Sequence, residues 1–79
     1  MKANIYVTLK REVLDPQGDA VRRAAGSMGF GGVRDVRVGK LIEVELDATD
    51  RAEAETALRA MCEKLLANPV IEDYRFEIV

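Results

Sequence analysis

The chain of 79 residues contains no histidine and no tryptophan, and it has a single cysteine. Without histidine, the commonest general base and metal ligand is missing, and one cysteine provides neither a CxxC motif nor an internal disulfide. No apolar run approaches the roughly 18 residues expected of a membrane-spanning helix. We therefore expect no metal site, no targeting peptide, no membrane span and a cytoplasmic location.

The charges nearly balance. Twelve basic residues stand against 14 acidic ones, which gives a formal net charge of -2. Nucleic-acid binding requires clustered positive charge, so this balance does not favour it. The length predicts one domain over residues 1–79. A domain of this size buries only about 60% of the surface that its unfolded chain exposes, so self-association would add stability.

The hydrophobic period alternates between two and 3.6 residues along the chain, and each change marks a new element. Residues 2–10 alternate as a strand with one buried face. Two short alternating segments follow in the middle of the chain, and a last one closes it. In total the pattern predicts four strands and two helices, over residues 2–10, 16–28, 35–38, 42–47, 50–67 and 70–78.

The helix boundaries rest on specific residues. Pro16 is predicted to open the first helix with Asp15 as its N-cap, and Gly29 is expected to end it in a left-handed conformation. In the second helix, Cys62 and Leu65 belong to a continuous apolar stripe that is expected to face the core. The stripe expected to be buried in the first helix comprises Val21, Ala24, Ala25 and Met28.

The register of the middle strands predicts how they are connected. Placing residues 39–41 in a three-residue turn brings Val36 opposite Val44 and Val38 opposite Ile42, so that the apolar sets share one face. The resulting order, β-α-β-β-α-β, is that of the ferredoxin-like α+β fold. This fold predicts a four-stranded antiparallel sheet with both helices on one face and a polar opposite face. It hosts many functions and therefore names none of them.

Most of the other residues that could form a functional site have ordinary structural explanations. Cys62 lies on an apolar stripe, so core packing is favoured over a free-standing enzyme that uses a reactive thiol. The glycine-rich residues 26–32 follow a helix, whereas a phosphate-binding loop would open one. Tyr6 alone does not make an RNA-stacking surface. Val13 and Leu14 belong to no stripe, and they are either tucked under their loop or presented to a partner.

Four segments carry a more specific resemblance: a strand that ends in Leu9–Lys10, then Val13–Gly18, Val36–Lys40 and Cys62–Tyr74. In their residues, order and spacing they resemble the PurS family, the small subunit of phosphoribosylformylglycinamidine synthase. The resemblance covers essentially the whole chain. It implies a subunit that has no catalytic residues and binds no cofactor, in a complex that uses ATP and magnesium.

The resemblance also implies partners. These are a glutaminase subunit that releases ammonia and a synthetase subunit that uses ATP, and the chain would bridge them so that ammonia passes between them. It further implies a homo-oligomer, either a dimer or a tetramer. The residues expected to shape the partner contacts are Lys10, Asp15, Pro16, Gln17, Gly18, Gly39, Lys40, Asn68 and Pro69.

A second hypothesis shares the same order of elements. Regulatory modules of the ACT type also follow β-α-β-β-α-β and bind small molecules between paired domains. Such a module would bind an amino acid or a nucleotide by itself, whereas a bridging subunit would act only with its partners.

Overall fold

The centre of the sheet is β1 (Lys2–Leu9), whose Ala3, Ile5 and Val7 side chains are buried. The computed structural model describes residues 1–79. In it, β2 (Lys40–Glu45) and β3 (Glu72–Ile78) pair with opposite edges of β1, and both pairings are antiparallel. Since successive side chains of a strand point to opposite faces, the three strands together present one apolar face.

A single helix covers that face. Helix α2 (Arg51–Met61) begins after Asp50, whose carboxylate accepts a hydrogen bond from the Ala52 N–H at 3.2 Å. Leu58 of α2 and the following Cys62 are fully buried and join the buried side chains of β1 in one core cluster. The complete burial of Cys62 confirms that it is a core residue, as predicted.

The π-helical turn Cys62–Leu66, which directly follows α2, shifts the apolar stripe by one residue. The Ala67 N–H donates to the Cys62 carbonyl oxygen at 3.0 Å, which spans one residue more than an α-helical bond. As a result Leu66 packs against the core, whereas Leu65 is 76% exposed. The predicted helix over residues 50–67 is confirmed, but the predicted burial of Leu65 is wrong, because it assumed an uninterrupted α-helical period.

Helix α1 (Pro16–Ser27) projects away from the sheet. Its predicted ends are confirmed, since Asp15 caps it and Gly29 has a φ of 95°. Its stripe, however, is not buried: Val21 is 50% and Met28 is 74% exposed. The radius of gyration is 16.0 Å, compared with about 12 Å for a compact chain of this length. Neither helix has the length and apolar character needed to cross a membrane.

The fourth predicted strand is absent from the described chain. Residues 33–39 form no regular element, so neither the strand over residues 35–38 nor the three-residue turn at residues 39–41 is formed. The predicted partner of this segment is β2, whose outer edge stays unpaired, because residues 37 and 38 form hydrogen bonds with residues 10–15 instead. The fold is therefore α+β with a three-stranded antiparallel sheet and one covering helix, and the four-stranded ferredoxin-like arrangement was wrong for the single chain.

The π-helical turn can be tested with two neighbouring leucines. We expect Leu66→Ala to lower the free energy of unfolding by about 1–3 kcal/mol, because it leaves a void beside the core. Leu65→Ala, the matched control, should change it by no more than about 0.5 kcal/mol. Urea unfolding followed by circular dichroism measures both values. Equal losses, or a larger loss at Leu65, would contradict the shifted stripe.

Candidate functional site

Three chain connections meet at one end of the sheet, which we call the loop end and define as residues 10–18, 36–40 and 67–72. They meet there because β1 finishes at the end where the antiparallel strands β2 and β3 begin. Every predicted contact residue lies on one of these connections. The set comprises Lys10, Asp15, Pro16, Gln17, Gly18, Gly39, Lys40, Asn68 and Pro69.

The Asp15 carboxylate joins two of the connections. Its Oδ1 accepts the Gly18 N–H at 3.0 Å, which caps α1, and its Oδ2 accepts the Val38 N–H at 2.7 Å. The side chain is only 5% exposed. The hydrogen bonds from Gly18 and then Val38 hold the pKa of Asp15 below its usual value, and the charge of Arg37 acts in the same direction. Asp15 is therefore charged at neutral pH, and besides capping α1 it holds Val38 to the start of that helix.

Arg37 strengthens the same junction and was missed by sequence reasoning. Its guanidinium donates to the carbonyl oxygens of Lys10 and Val13, each at 2.9 Å. The alternating pattern had placed Arg37 on the outer face of a strand, so nothing in the sequence indicated this role. Together, Asp15 and Arg37 form what we call the clasp, which fixes residues 10–15 against residues 36–38.

Glu72 joins residues 36–40 to residues 67–72, and the sequence did not predict this role either. Its Oε1 accepts the Asn68 N–H at 2.7 Å, and its Oε2 lies 3.7 Å from the Lys40 Nζ. The Glu72 side chain is mostly buried, whereas the Lys40 side chain is 59% exposed, so the ion pair is open to solvent on its lysine side. An acidic residue shortly after an Asn-Pro turn was the available signal, because it can return to the backbone of that turn.

Two open clefts flank Glu72. The first, of about 220 Å³, is lined by four of the predicted residues, namely Asp15, Gln17, Gly39 and Lys40. The second, of about 330 Å³, is lined by Lys10 and Pro69 among the predicted residues. Pro16, Gly18 and Asn68 line neither cleft and shape the turns instead. The structure thus brings the predicted residues to one end of the molecule but divides them between two surfaces.

The loop 10–15 resolves a choice that the sequence left open. Val13 is half-buried and its N–H donates to the Lys10 carbonyl oxygen at 2.9 Å, so it is tucked into the loop. Leu14 is largely exposed beside it. Val13 is therefore the residue that is tucked under the loop, and Leu14 is the apolar side chain that the loop presents to solvent.

The side chains that could take part in a reaction lie in surroundings that keep them unreactive. Burial raises the pKa of the Cys62 thiol, and the charge of Glu63 adds to the effect, so the reactive thiolate is disfavoured. On the open face of the sheet, the Tyr6 hydroxyl donates to Glu77 at 2.7 Å and the Arg75 guanidinium lies 4.0 Å from the Tyr6 ring centre. Tyr6 is therefore already stacked and hydrogen-bonded. What the loop end offers is shape and charge.

Two glycines test how tightly the clasp is packed. A Cβ at Gly18 would overlap the Val36 carbonyl oxygen, whereas a Cβ at Gly26, in the same helix, would meet nothing within 4 Å. We expect Gly18→Ala to lower the free energy of unfolding by about 1–3 kcal/mol, as overpacking does. Gly26→Ala should raise it by up to about 1 kcal/mol, because alanine favours the helix. Urea titrations at one protein concentration measure both, and a neutral Gly18→Ala would contradict this packing.

Comparison with known proteins identifies the family. The family model described as PurS, phosphoribosylformylglycinamidine (FGAM) synthase, matches residues 2–79. The PurS subunit of Bacillus subtilis is 52% identical over 77 residues, which are 98% of this chain and 90% of that protein. The subunit of Synechocystis is 54% identical over 74 residues, covering 94% and 74% of the two chains.

Solved structures agree with the sequence matches. The Bacillus subtilis PurS structure superposes with a TM-score of 0.85 at 53% identity, covering 96% of this chain and 94% of that one. The structure of PurLQS from Thermotoga maritima matches with a TM-score of 0.91 at 32% identity, covering 99% and 95%. The resemblance inferred from four sequence segments is thereby confirmed: the chain belongs to the PurS family, whose members are subunits of phosphoribosylformylglycinamidine synthase.

Proposed function

We propose that this chain is a non-catalytic subunit of phosphoribosylformylglycinamidine synthase in purine biosynthesis. It bridges the glutaminase and the ATP-using synthetase subunits, so that ammonia passes between them. The observation that carries the proposal is the family match over residues 2–79. In this proposal residues 1–79 act as one domain that binds no cofactor itself, while the complex uses ATP and magnesium in the cytoplasm.

The loop end supports a bridging role. Its three connections are fixed by side chains, through the clasp on one side and Glu72 on the other. Contacts made by a pre-ordered surface lose less conformational entropy on binding than contacts made by mobile loops. The family match also favours the bridging hypothesis over the ACT-type alternative, which no observation supports. The predicted contact residues remain the positions at which we expect the partners.

We further propose that the chain associates with itself through α1. Only nine of its 79 residues are buried. Helix α2 lies towards the β3 side of the apolar face, with the Arg59 guanidinium 5.7 Å from the Phe76 ring centre. Ile42 and Val44 of β2 are only half-buried, as are Phe76 and Ile78 of β3, so α2 covers the apolar face incompletely. A second helix belongs there in the ferredoxin-like arrangement, and α1 of another copy carries a matching apolar stripe.

This exchange would also explain why α1 stands away from its own sheet. An element that packs on a second copy satisfies the same pattern of hydrophobic residues as one that packs on its own chain. Dimers and tetramers both allow this exchange.

Omission of this chain from the reconstituted synthase tests the proposed function. We expect the glutaminase and synthetase subunits without it to lose most of their glutamine-dependent activity, since ammonia would escape to water between them. Activity with ammonium salt in place of glutamine serves as the control and should persist in the synthetase subunit. Full glutamine-dependent turnover in the absence of this chain would rule out the bridging role.

Substitutions in the stripe of α1 test self-association. The double variant Val21→Gln, Met28→Gln removes two exposed apolar side chains and should lower the mass measured by sedimentation equilibrium towards that of one chain. Arg23→Gln, on the opposite side of the same helix, is the matched control and should keep the mass of the unaltered protein. If the double variant retains that mass as well, the stripe is not the contact.

A further inference from the structure

The outer edge of β2 carries free backbone groups. Met1 and Leu46 exchange two hydrogen bonds, because the N–H groups of each donate to the carbonyl oxygen of the other at 2.8 Å. In an antiparallel ladder every second residue bonds to the same neighbour. The even-numbered residues of β2 therefore bond to β1, and the N–H and carbonyl groups of Leu41, Glu43 and Glu45 point away from it. No strand of the chain covers that edge, and a free edge is a template for a further strand.

The segment before β2, residues 35–38, which we call the lead segment, has free backbone groups as well. The clasp carboxylate accepts the Val38 N–H, and the Val36 carbonyl oxygen lies so close to Gly18 that a Cβ there would overlap it. The residues that alternate with these two, Asp35 and Arg37, use neither their N–H nor their carbonyl oxygen in a hydrogen bond. The lead segment therefore presents an unpaired edge on the side away from the clasp.

The lead segment does not turn back onto its own β2. Such a hairpin needs residues 39–41 for its turn, but residues 40 and 41 are already paired with β1. Gly39 lies against the Val7 carbonyl oxygen, so that a Cβ there would overlap it. The chain thus continues from the lead segment into β2 without reversing direction. A strand that covers the free edge has to come from another molecule.

A second copy of this chain supplies a strand that fits. When residues 35–45 of two copies run antiparallel about a two-fold axis at residue 40, each free residue of the lead segment meets a free residue of β2 in the other copy. Apolar residues meet apolar ones in the same register, which is the one that the sequence predicts for a hairpin. The opposed pairs are Asp35 with Glu45, Val36 with Val44, Arg37 with Glu43, and Val38 with Ile42.

The charges in this register have partners. Arg37 faces a glutamate of the second copy, and opposite charges across a strand pair are stabilising. Lys40 meets its own counterpart at the axis, but its Nζ lies 3.7 Å from the Glu72 carboxylate. Asp35 meets a glutamate, but its carboxylate lies 3.8 Å from the Arg11 guanidinium. Neither like-charge contact is therefore left without a countercharge in its own chain.

We propose that residues 35–45 of two copies pair as antiparallel strands about a two-fold axis at Lys40, so that each lead segment becomes the fourth strand of the other copy's sheet. The proposal rests on the proposed self-association and deepens it, because it names the backbone edge that joins the copies. Helix α1, tied to the lead segment at the clasp, is thereby brought to the second copy's sheet.

The pairing also builds one surface from two loop ends. The cleft of about 220 Å³ that Val38, Gly39 and Lys40 line on one side lies at the proposed axis. It then borders the same residues of the second copy. The surface that the loop end offers to the other subunits of the synthase therefore contains residues of both copies and is incomplete in one chain.

Single cysteines at the axis test the pairing. Lys40→Cys places two thiols opposite each other, so mild oxidation of the full chain should join most of it into a dimer on a non-reducing gel. Leu41→Cys, at an exposed neighbouring residue, is the matched control and should stay largely uncross-linked, because its Cα lies more than about 7 Å from its counterpart in this register. The unaltered protein, whose one cysteine is buried, gives the background. No dimer from Lys40→Cys, or a larger yield from Leu41→Cys, would overturn the proposal.

A proline at the free edge gives a second test. Glu43→Pro removes an N–H that the chain's own ladder does not use, and proline is tolerated on such an edge. It should halve the mass measured by sedimentation equilibrium, whereas Glu43→Ala, which keeps the N–H, should leave the mass unchanged. An unchanged mass for folded Glu43→Pro would contradict the pairing, and the cysteine variants decide the proposal if Glu43→Pro does not fold. Failure here leaves the bridging role and the α1 contact standing, because the omission experiment and the α1 variants measure those separately.

Discussion

The hydrogen bonds that hold residues 37 and 38 to residues 10–15 are the interaction on which the remaining structure depends. Held there, residues 35–38 run as an irregular segment at the loop end and do not return along β2, whose outer edge stays unpaired. Helix α1, which this segment follows, projects away from its own sheet. The elongated shape, with a longest dimension of 50 Å, follows from this.

Two charged side chains, those of Asp15 and Arg37, make hydrogen bonds in place of those that the missing strand would have made. An extended segment outside a sheet leaves backbone groups without ladder partners, and buried backbone groups need hydrogen bonds. The Asp15 carboxylate accepts one from residue 38, and the Arg37 guanidinium satisfies two carbonyl oxygens of the facing loop. Ionised groups make stronger hydrogen bonds than neutral ones, so two side chains suffice to hold what a strand ladder would otherwise hold. Side-chain hydrogen bonds therefore order the loop end where the predicted sheet would have used a strand ladder.

Size then connects the fold to assembly. A chain this short, with one helix over one sheet, leaves apolar surface on α1, on the β2 side of the sheet and at the π-helical turn. These surfaces lie on different parts of the molecule, so they can serve different partners without competition. In the proposed bridging role, this arrangement would let self-association and partner binding use different surfaces.

The sequence by itself determined the elements whose signals are local. The alternation of β1, the cap at Asp15 and the glycine stop at residue 29 each depend on neighbouring residues, and the structure confirms all three. The family could be inferred for the same reason, because its motifs lie in short segments. Only the tertiary structure decided where α1 packs, whether residues 35–38 pair, and that Leu65 points to solvent while Leu66 points inward. Those outcomes depend on side-chain hydrogen bonds between segments distant in the chain and on one extra residue in a helical turn, and a hydrophobic pattern reports neither.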